Sequence, residues 1–146
     1  MESLPYFFLS DKTEYIKKFC ELYTDEIKTP DGLNIGCKDP KKSAVHFCRG
    51  GKDGDDFQPA RAQRIGWAKY ILLHPEERKV LLDTETKNII FFFEKGRTSY
   101  AVICRPINES KFELISGFIV GGFRALAYRE GRKPYEFYLI KKSCWY

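Results

Sequence analysis

No apolar run in this sequence is long enough to cross a membrane. The longest, residues 89–93 and 118–120, fall far short of the roughly 20 residues that a membrane-spanning helix needs. The N-terminus, Met-Glu-Ser-Leu-Pro, has neither the basic start nor the cleavage site of a secretory signal peptide. These absences predict a cytoplasmic protein without a membrane partner. Since the chain is short and begins with Met, we also expect it to stand alone, without a larger delivery protein.

Paired cysteines are lacking as well. The five cysteines are an odd number and include no Cys-x-x-Cys pair, which argues against a disulfide framework. Cys37, His46 and Cys48 lie near one another, but structural zinc is bound by four ligands in close pairs, and His46 and Cys48 would point to opposite faces of a strand. A nucleophilic pair of Cys48 and His46 would need a third group. The sequence therefore predicts buried, reduced thiols, no metal and no cofactor.

The chain also has no dinucleotide fingerprint, P-loop, zinc-protease motif or serine-hydrolase motif. It has instead an excess of positive charge and many rings. Lys and Arg outnumber Asp and Glu by 25 to 20, and aromatic residues make up 16% of the chain. A polyanion is thus a favoured partner, with a merely solvated basic surface as the equal alternative. The length of 146 residues predicts a single domain, 1–146, able to bury its own core.

The hydrophobic period changes half-way along the chain. Helical spacing predicts one helix over residues 11–28, capped by Asp11 with Glu14 as its capping-box partner, and a second from Pro59 to His74. Alternation then predicts strands joined by turns short enough for an antiparallel meander, at residues 79–83, 88–94, 98–105 and 111–120. Helices followed by hairpins predict an α+β fold, with the N-terminal helices packed on one face of a curved antiparallel sheet of about four to five strands.

Three segments give weaker signals. Residues 34–56 are rich in glycine and lysine, and we expect a long loop there with a short strand at 44–48. The glycine pair Gly121-Gly122 breaks the last strand of the meander, and residues 125–128 are ambiguous. Residues 134–141 are a candidate final strand.

Several of these segments share a pattern with a known group of nucleases. The matching stretches are residues 57–67 (FQPARAQRIGW), 74–77 (HPEE), 89–93 (IIFFF), 100–103 (YAVI) and the closing Ala127-Tyr128. In these, and in its order of elements, the chain resembles phage-encoded and toxin-type members of the barnase, EndoU, colicin and RelE-like ribonuclease superfamily. The resemblance covers roughly residues 44–138. It implies a nuclease core over 44–146, preceded by a helical and loop-containing part over 1–43.

The resemblance implies a hydrolase that cuts RNA, transfer RNA included, by attack of the 2′-hydroxyl without a metal, and a cognate inhibitor protein as a second partner. Such cleavage requires a base for the 2′-hydroxyl, an acid for the leaving 5′-oxygen and a cation for the charge on the phosphate. His46 is the candidate acid–base residue, and its alternative role is a polar residue at a strand end. For His74, at a helix end before Pro75, a capping role is favoured.

Arg61 and Arg64 are three residues apart and share one helix face, where two guanidinium groups suit a phosphate. Their alternative is a solvated or acid-paired surface. The Tyr128 hydroxyl is a candidate phosphate donor, with burial in the core as its equal alternative. The candidate catalytic residues are His46, Arg64 and Tyr128. The candidate nucleic-acid-binding residues are Arg61, Lys69, Arg124 and Arg129.

One position departs from the family pattern. The pattern often has Thr before Ala-Tyr, and this chain has Leu126. If that hydroxyl contacts the phosphate in the family, its loss favours a second hypothesis, a module that binds nucleic acid or protein without cutting. A third hypothesis is an inhibitor or interaction protein of mobile-element origin that pairs through an exposed strand edge.

Overall fold

The chain forms one large β-sheet with helices on both of its faces. A computed structural model describes residues 4–50 and 56–138. In chain order the elements are α1 (Lys12–Tyr23), β1 (Ile27–Lys28), β2 (Asn34–Gly36), α2 (Pro40–Cys48), β3 (Arg49–Gly50), β4 (Asp56–Phe57), α3 (Pro59–Gln63), α4 (Trp67–Leu73), a 3-10 helix (Pro75–Glu77), β5 (Arg78–Asp83), β6 (Ile89–Lys95), β7 (Thr98–Pro106), β8 (Lys111–Ile119), α5 (Gly122–Glu130) and β9 (Tyr135–Phe137). None of the helices in these residues is long and apolar enough to span a bilayer.

The predicted α+β fold and its antiparallel meander are confirmed. Strands β5 to β8 pair in sequence order, and each begins and ends within two residues of its predicted bounds. The full sheet is larger and mixed, with the order β1-β2-β8-β7-β6-β5-β9. Its extra strands come from the N-terminal part, where β2 pairs in parallel with β8, and from β9 at the other edge. The predicted strand over 134–141 corresponds to β9, and residues 139–141 lie outside the described part.

Side-chain alternation along the sheet divides the core into two clusters. On β6, Ile89, Phe91 and Phe93 face α1 to α4, whereas Ile90 and Phe92 face α5. The uninterrupted apolar run at residues 89–93 follows from this arrangement, because a strand covered on both faces has no solvent side. The N-terminal helices pack on one face as predicted, and α5, which was not predicted, covers the other.

The segment at 44–48 is helical, and its prediction as a strand was wrong. Helix α2 begins after Asp39, whose carboxylate accepts a hydrogen bond from the Lys42 backbone N–H, and Pro40 occupies the first turn. Its buried residues, Ala44, Phe47 and Cys48, follow at helical spacing. His46 thus projects from a helix, which changes the surface that it can reach.

Two predicted helix bounds also differ. The first helix ends at Tyr23, because Ile27 and Lys28 pair with β2. The predicted helix over 59–74 is two helices, α3 and α4, joined by a turn at residues 64–66. The ambiguous residues 125–128 belong to α5, which ends at Gly131 in the left-handed conformation with a φ of 66°.

Candidate active site

An open groove runs between α2 and the neighbouring end of β8. Its volume is about 710 Å³. The residues that line it carry both signs of charge and one imidazole: Lys38, Asp39, Lys42, Ser43, His46, Glu113, Leu114 and Ile115. His46 and Lys42 are four residues apart on α2 and therefore lie on the same side of the helix.

His46 is joined to the sheet through a serine. Its Nε2 atom lies 3.2 Å from Ser116 Oγ on β8. The register of β7 and β8 shifts here, with Cys104 opposite Leu114 but Ile103 opposite Ser116, so Ile115 is an extra residue. Such a bulge redirects the side chains that follow it. The bulge accounts for a hydroxyl that reaches α2 although its partner Ile103 packs against the cluster on the other face.

The environment of His46 favours its neutral form. Desolvation of the ring lowers its pKa below the ordinary value of 6.5, and the positive charges of Arg61 and Arg49 lower it further. A neutral imidazole at pH 7 has a nitrogen lone pair that accepts a proton. The ring can therefore serve as a general base near neutral pH.

Arg61, on α3, and Arg64, directly after this helix, have no carboxylate partner among the described residues. Arg61 Nε donates to the Phe47 carbonyl at 3.3 Å, and Arg64 Nη1 donates to the Ala60 carbonyl at 2.7 Å. Arg64 Nε is buried and has no acceptor in the described part of the chain. Other arginines of the molecule do have acidic partners: Arg78, Arg105, Arg129 and Arg132. The site thus holds two half-buried positive charges without a counter-ion in the part of the chain that the structure describes.

Tyr100 brings a further hydroxyl group to this region from β7. Its position depends on Gly117, because a Cβ atom there would lie only 2.6 Å from the Tyr100 hydroxyl oxygen. Burial raises the pKa of Tyr100 strongly, and the charges of Arg61 and Arg64 act in the opposite direction. Both guanidinium groups therefore act on the tyrosine hydroxyl, and that of Arg61 also acts on the imidazole of His46.

The structure brings three of the seven predicted site residues together and separates the rest. Arg61 lies close to His46, since it donates to the carbonyl of the next residue, Phe47, and Arg64 acts together with Arg61 on Tyr100. Tyr128 is 2% exposed and packs between Phe92 and Tyr135 on the α5 side of the sheet.

The three remaining residues of the predicted set have other contacts. The Lys69 ammonium group donates a hydrogen bond to the Leu22 carbonyl at 3.2 Å. Arg124 lies over the Phe118 ring, and Arg129 binds Glu94. With α5 on the far face, one RNA strand lying across the sheet cannot contact all seven predicted residues at once.

Two residues of the site were not among the predicted ones. Ser116 and Tyr100 each lie among the residues of a largely apolar strand. Nothing in the neighbouring sequence distinguishes them from ordinary core or surface positions. Their proximity to His46 and the arginines depends on a bulge and on Gly117, both of which arise from strand pairing. The glycine inside a strand pattern was the one available signal, since it marks a close approach.

The cysteines offer no nucleophile beside His46. Cys20, Cys37, Cys48 and Cys104, the cysteines within the described residues, are unpaired. Burial raises the pKa of the Cys48 thiol to about 11, so the thiol stays protonated near neutral pH.

A group with metal-ligand chemistry lies elsewhere, at the end of α4. Ligand atoms of His74, Glu76 and Glu77 come within 4.8 Å of one another. His74 Nδ1 lies 2.7 Å from the Tyr70 carbonyl oxygen, and Glu77 accepts hydrogen bonds from Tyr70 and Lys95. These contacts orient the group within the protein, and none of its three residues lines the groove of His46.

Comparison of the chain with protein-family models, curated protein sequences and solved structures finds no match.

Proposed function

We propose that this protein is a metal-independent endoribonuclease of the phage or toxin type, with its active site at His46, Arg61 and Arg64. The observation that carries the proposal is a pair of guanidinium groups without a carboxylate partner among the described residues, one of which, that of Arg61, lies beside an imidazole of lowered pKa. Charges taken out of water need partners. Since these two arginines have no carboxylate among the described residues, an anionic ligand is the natural partner, and guanidinium groups bind phosphate oxygens well.

The chemistry follows from these groups. Neutral His46 takes the proton of the 2′-hydroxyl, and the 2′-oxygen attacks the adjacent phosphorus. Arg61 and Arg64 stabilise the negative charge that builds on the phosphate oxygens. The bond from phosphorus to the 5′-oxygen breaks, which leaves a 2′,3′-cyclic phosphate and a 5′-hydroxyl. Lys42, one helical turn before His46, is the candidate donor of the proton to the leaving oxygen.

The test is RNA cleavage in EDTA. End-labelled transfer RNA and a mixed single-stranded RNA are incubated with the wild-type protein, with His46→Ala and with His74→Asn as the matched histidine control. We expect cyclic-phosphate ends from the wild type and His74→Asn, and a rate at least about 100-fold lower from His46→Ala. Intact RNA with all three proteins would contradict the proposal for these substrates.

A binding module without cleavage is the second candidate. The burial of Tyr128 favours it, because this residue and Leu126 leave the family-like closing segment without an exposed hydroxyl. That module would bind RNA in a salt-dependent way, and binding would survive His46→Ala. A cognate inhibitor protein remains a prediction of the resemblance, and its capture on immobilised protein would test it.

A further inference from the structure

The N-terminal segment, residues 4–10, exposes two aromatic rings. It is not part of a helix or strand, and its Leu4, Phe7 and Leu9 pack against the larger core cluster. The residues between them, Tyr6 and Phe8, are 49% and 75% exposed. Side chains that alternate in this way are normally polar on the solvent side. Two large rings on the solvent side are therefore candidates for contact with a ligand.

The segment is held firmly by the residues beneath it. The Phe7 backbone N–H donates to the Gln63 carbonyl at 3.0 Å, and the Phe7 carbonyl accepts from the Tyr15 hydroxyl at 3.0 Å. The Phe7 ring also lies against Gly66, where a Cβ atom would approach it to 2.8 Å. These anchors fix Tyr6 and Phe8 before any ligand binds, and preorganised groups lose less entropy on binding.

The exposed rings form a row that leads to the proposed active site. Tyr6 and Phe8 are nearly parallel, with an interplanar angle of 15° and centroids 6.2 Å apart. Tyr6 then meets Trp67 edge-on at 5.3 Å, and the Arg64 guanidinium lies over the Trp67 ring at 5.2 Å. The row of aromatic rings therefore ends at Arg64, one of the two arginines that have no carboxylate partner among the described residues.

We propose that Tyr6 and Phe8 form a stacking platform for an unpaired base of the RNA whose phosphate is held by Arg61 and Arg64. The inference rests on the proposed function and extends it to substrate class, namely single-stranded RNA. Exposed aromatic faces close to arginine side chains suit single-stranded nucleic acid, because every base has a π-face and each nucleotide carries a charge. The platform selects for unpaired bases and not for a particular sequence.

The test separates bases from phosphates. Binding is measured by fluorescence anisotropy in the His46→Ala background, with a labelled single-stranded 12-mer RNA and an abasic 12-mer of the same backbone. We expect tighter binding of the base-containing RNA, and Phe8→Ala should weaken that binding by about tenfold without changing the affinity for the abasic strand. Phe8→Leu should lose as much as Phe8→Ala, because it keeps an apolar surface without a π-face. Ile107→Ala, at a residue 57% exposed elsewhere, should change nothing.

The outcomes distinguish this inference from the proposal on which it rests. Equal binding of the two strands by the parent protein would overturn the platform and leave the phosphate site intact. Absence of binding to both strands would overturn the phosphate site itself, and the platform with it. Concentration-dependent dimerisation that Phe8→Ala abolishes would assign the rings to self-association and overturn the platform. Because the Phe8 ring is mostly exposed, an unchanged melting temperature is expected for each Phe8 variant and confirms its fold.

Discussion

Arg129, on the α5 side of the sheet, and the arginine pair of the candidate site differ in their partners. On the α5 side, Arg129 donates two hydrogen bonds to Glu94, one of them from Nε to Oε1 at 2.8 Å, and the pairing lowers the pKa of Glu94. On the side of α1 to α4, Arg61 and Arg64 donate only to backbone carbonyls within the described residues. A paired guanidinium is neutralised by its own protein, whereas an unpaired one keeps its charge for a ligand. The difference between Arg129 and these two arginines supports the proposed phosphate site beside α3.

Burial alone does not explain that difference. Arg78 lies on the same side as Arg61, with a side chain only 2% exposed, yet it reaches both carboxylate oxygens of Asp31 at 3.0 Å. Burial lowers the pKa of Arg78, and the Asp31 charge opposes that change. The buried charge of Arg78 is therefore balanced by a carboxylate of the same protein, that of Asp31. At the candidate site, by contrast, Arg61 and Arg64 have no carboxylate partner within the described residues.

The largest expected effect is on stability, at the compensated pair. Asp31→Ala would leave the Arg78 charge buried without a partner, and we expect a loss of about 3 kcal/mol in the free energy of unfolding. Arg64→Met removes no ion pair that the described residues form, and should change the free energy of unfolding by no more than about 0.5 kcal/mol. Urea denaturation of the two variants measures both. Equal losses would show that Arg64 is structural, and would remove the contrast with Arg78.

The next effect is on RNA cleavage. Replacing both Arg61 and Arg64 by Ala removes the cations that face the developing phosphate charge, and we expect a rate about 100-fold lower at subsaturating RNA. The matched control is the double variant Arg124→Ala/Arg129→Ala, which removes the same charge from the α5 side. Its rate should stay within about twofold of the wild type, because these residues lie across the sheet from His46. A larger loss in the control would place the RNA on the α5 side instead.

The features of the fold and the site that could be predicted from the sequence are those that depend on residues close together in the chain. The meander was predictable because alternation and turns are local signals. The spacing of Arg61 and Arg64 predicted their common face, although the helix itself breaks at residues 64–66. The helix at 40–48 was missed despite a local signal, the Asp39-Pro40 start, because its glycine- and lysine-rich surroundings suggested a loop.

The contacts that define the site are of long range. Ser116 meets His46 across 70 residues, and only the β8 bulge brings the two together. The burial of Tyr128 also depends on long-range packing, because it is set by where α5 crosses the sheet. Neither the contact of Ser116 with His46 nor the burial of Tyr128 follows from the sequence around these residues. The sequence could therefore suggest candidate residues, but not which of them come together.

A smaller effect on stability is expected at Gly117. A Cβ atom there would lie 2.6 Å from the Tyr100 hydroxyl and 2.8 Å from the Phe47 ring, so Gly117→Ala should cost about 1–3 kcal/mol. The matched control is Gly36→Ala on β2, where a Cβ atom would meet nothing within 4 Å. Thermal melting compares the two variants. The addition of Tyr100→Phe should recover part of the loss, since the Phe47 contact remains. Equal melting temperatures for Gly117→Ala and Gly36→Ala would show that the strand can move away from Tyr100.

The smallest expected effect is a shift in the titration of His46. The Arg61 charge lowers the His46 pKa, so Arg61→Gln should raise it, while Arg124→Gln on the opposite side should leave it unchanged. The raised value should stay below 6.5, because desolvation, the largest cause, and the Arg49 charge both persist. Proton NMR of the two histidine rings, assigned with His74→Asn, measures the shift.

The same change has a consequence for stability. Because the folded pKa of His46 lies below its unfolded value, its contribution is present above pH 6.5 and is lost as the pH falls through the folded pKa. The Arg61→Gln variant should therefore lose less stability between neutral and mildly acidic pH than the wild type. The acid limb of its cleavage rate should also move to higher pH, because a base with a higher pKa is protonated earlier. An unchanged His46 titration would mean that the charge of Arg61 does not reach the imidazole, and would confine its role to the phosphate.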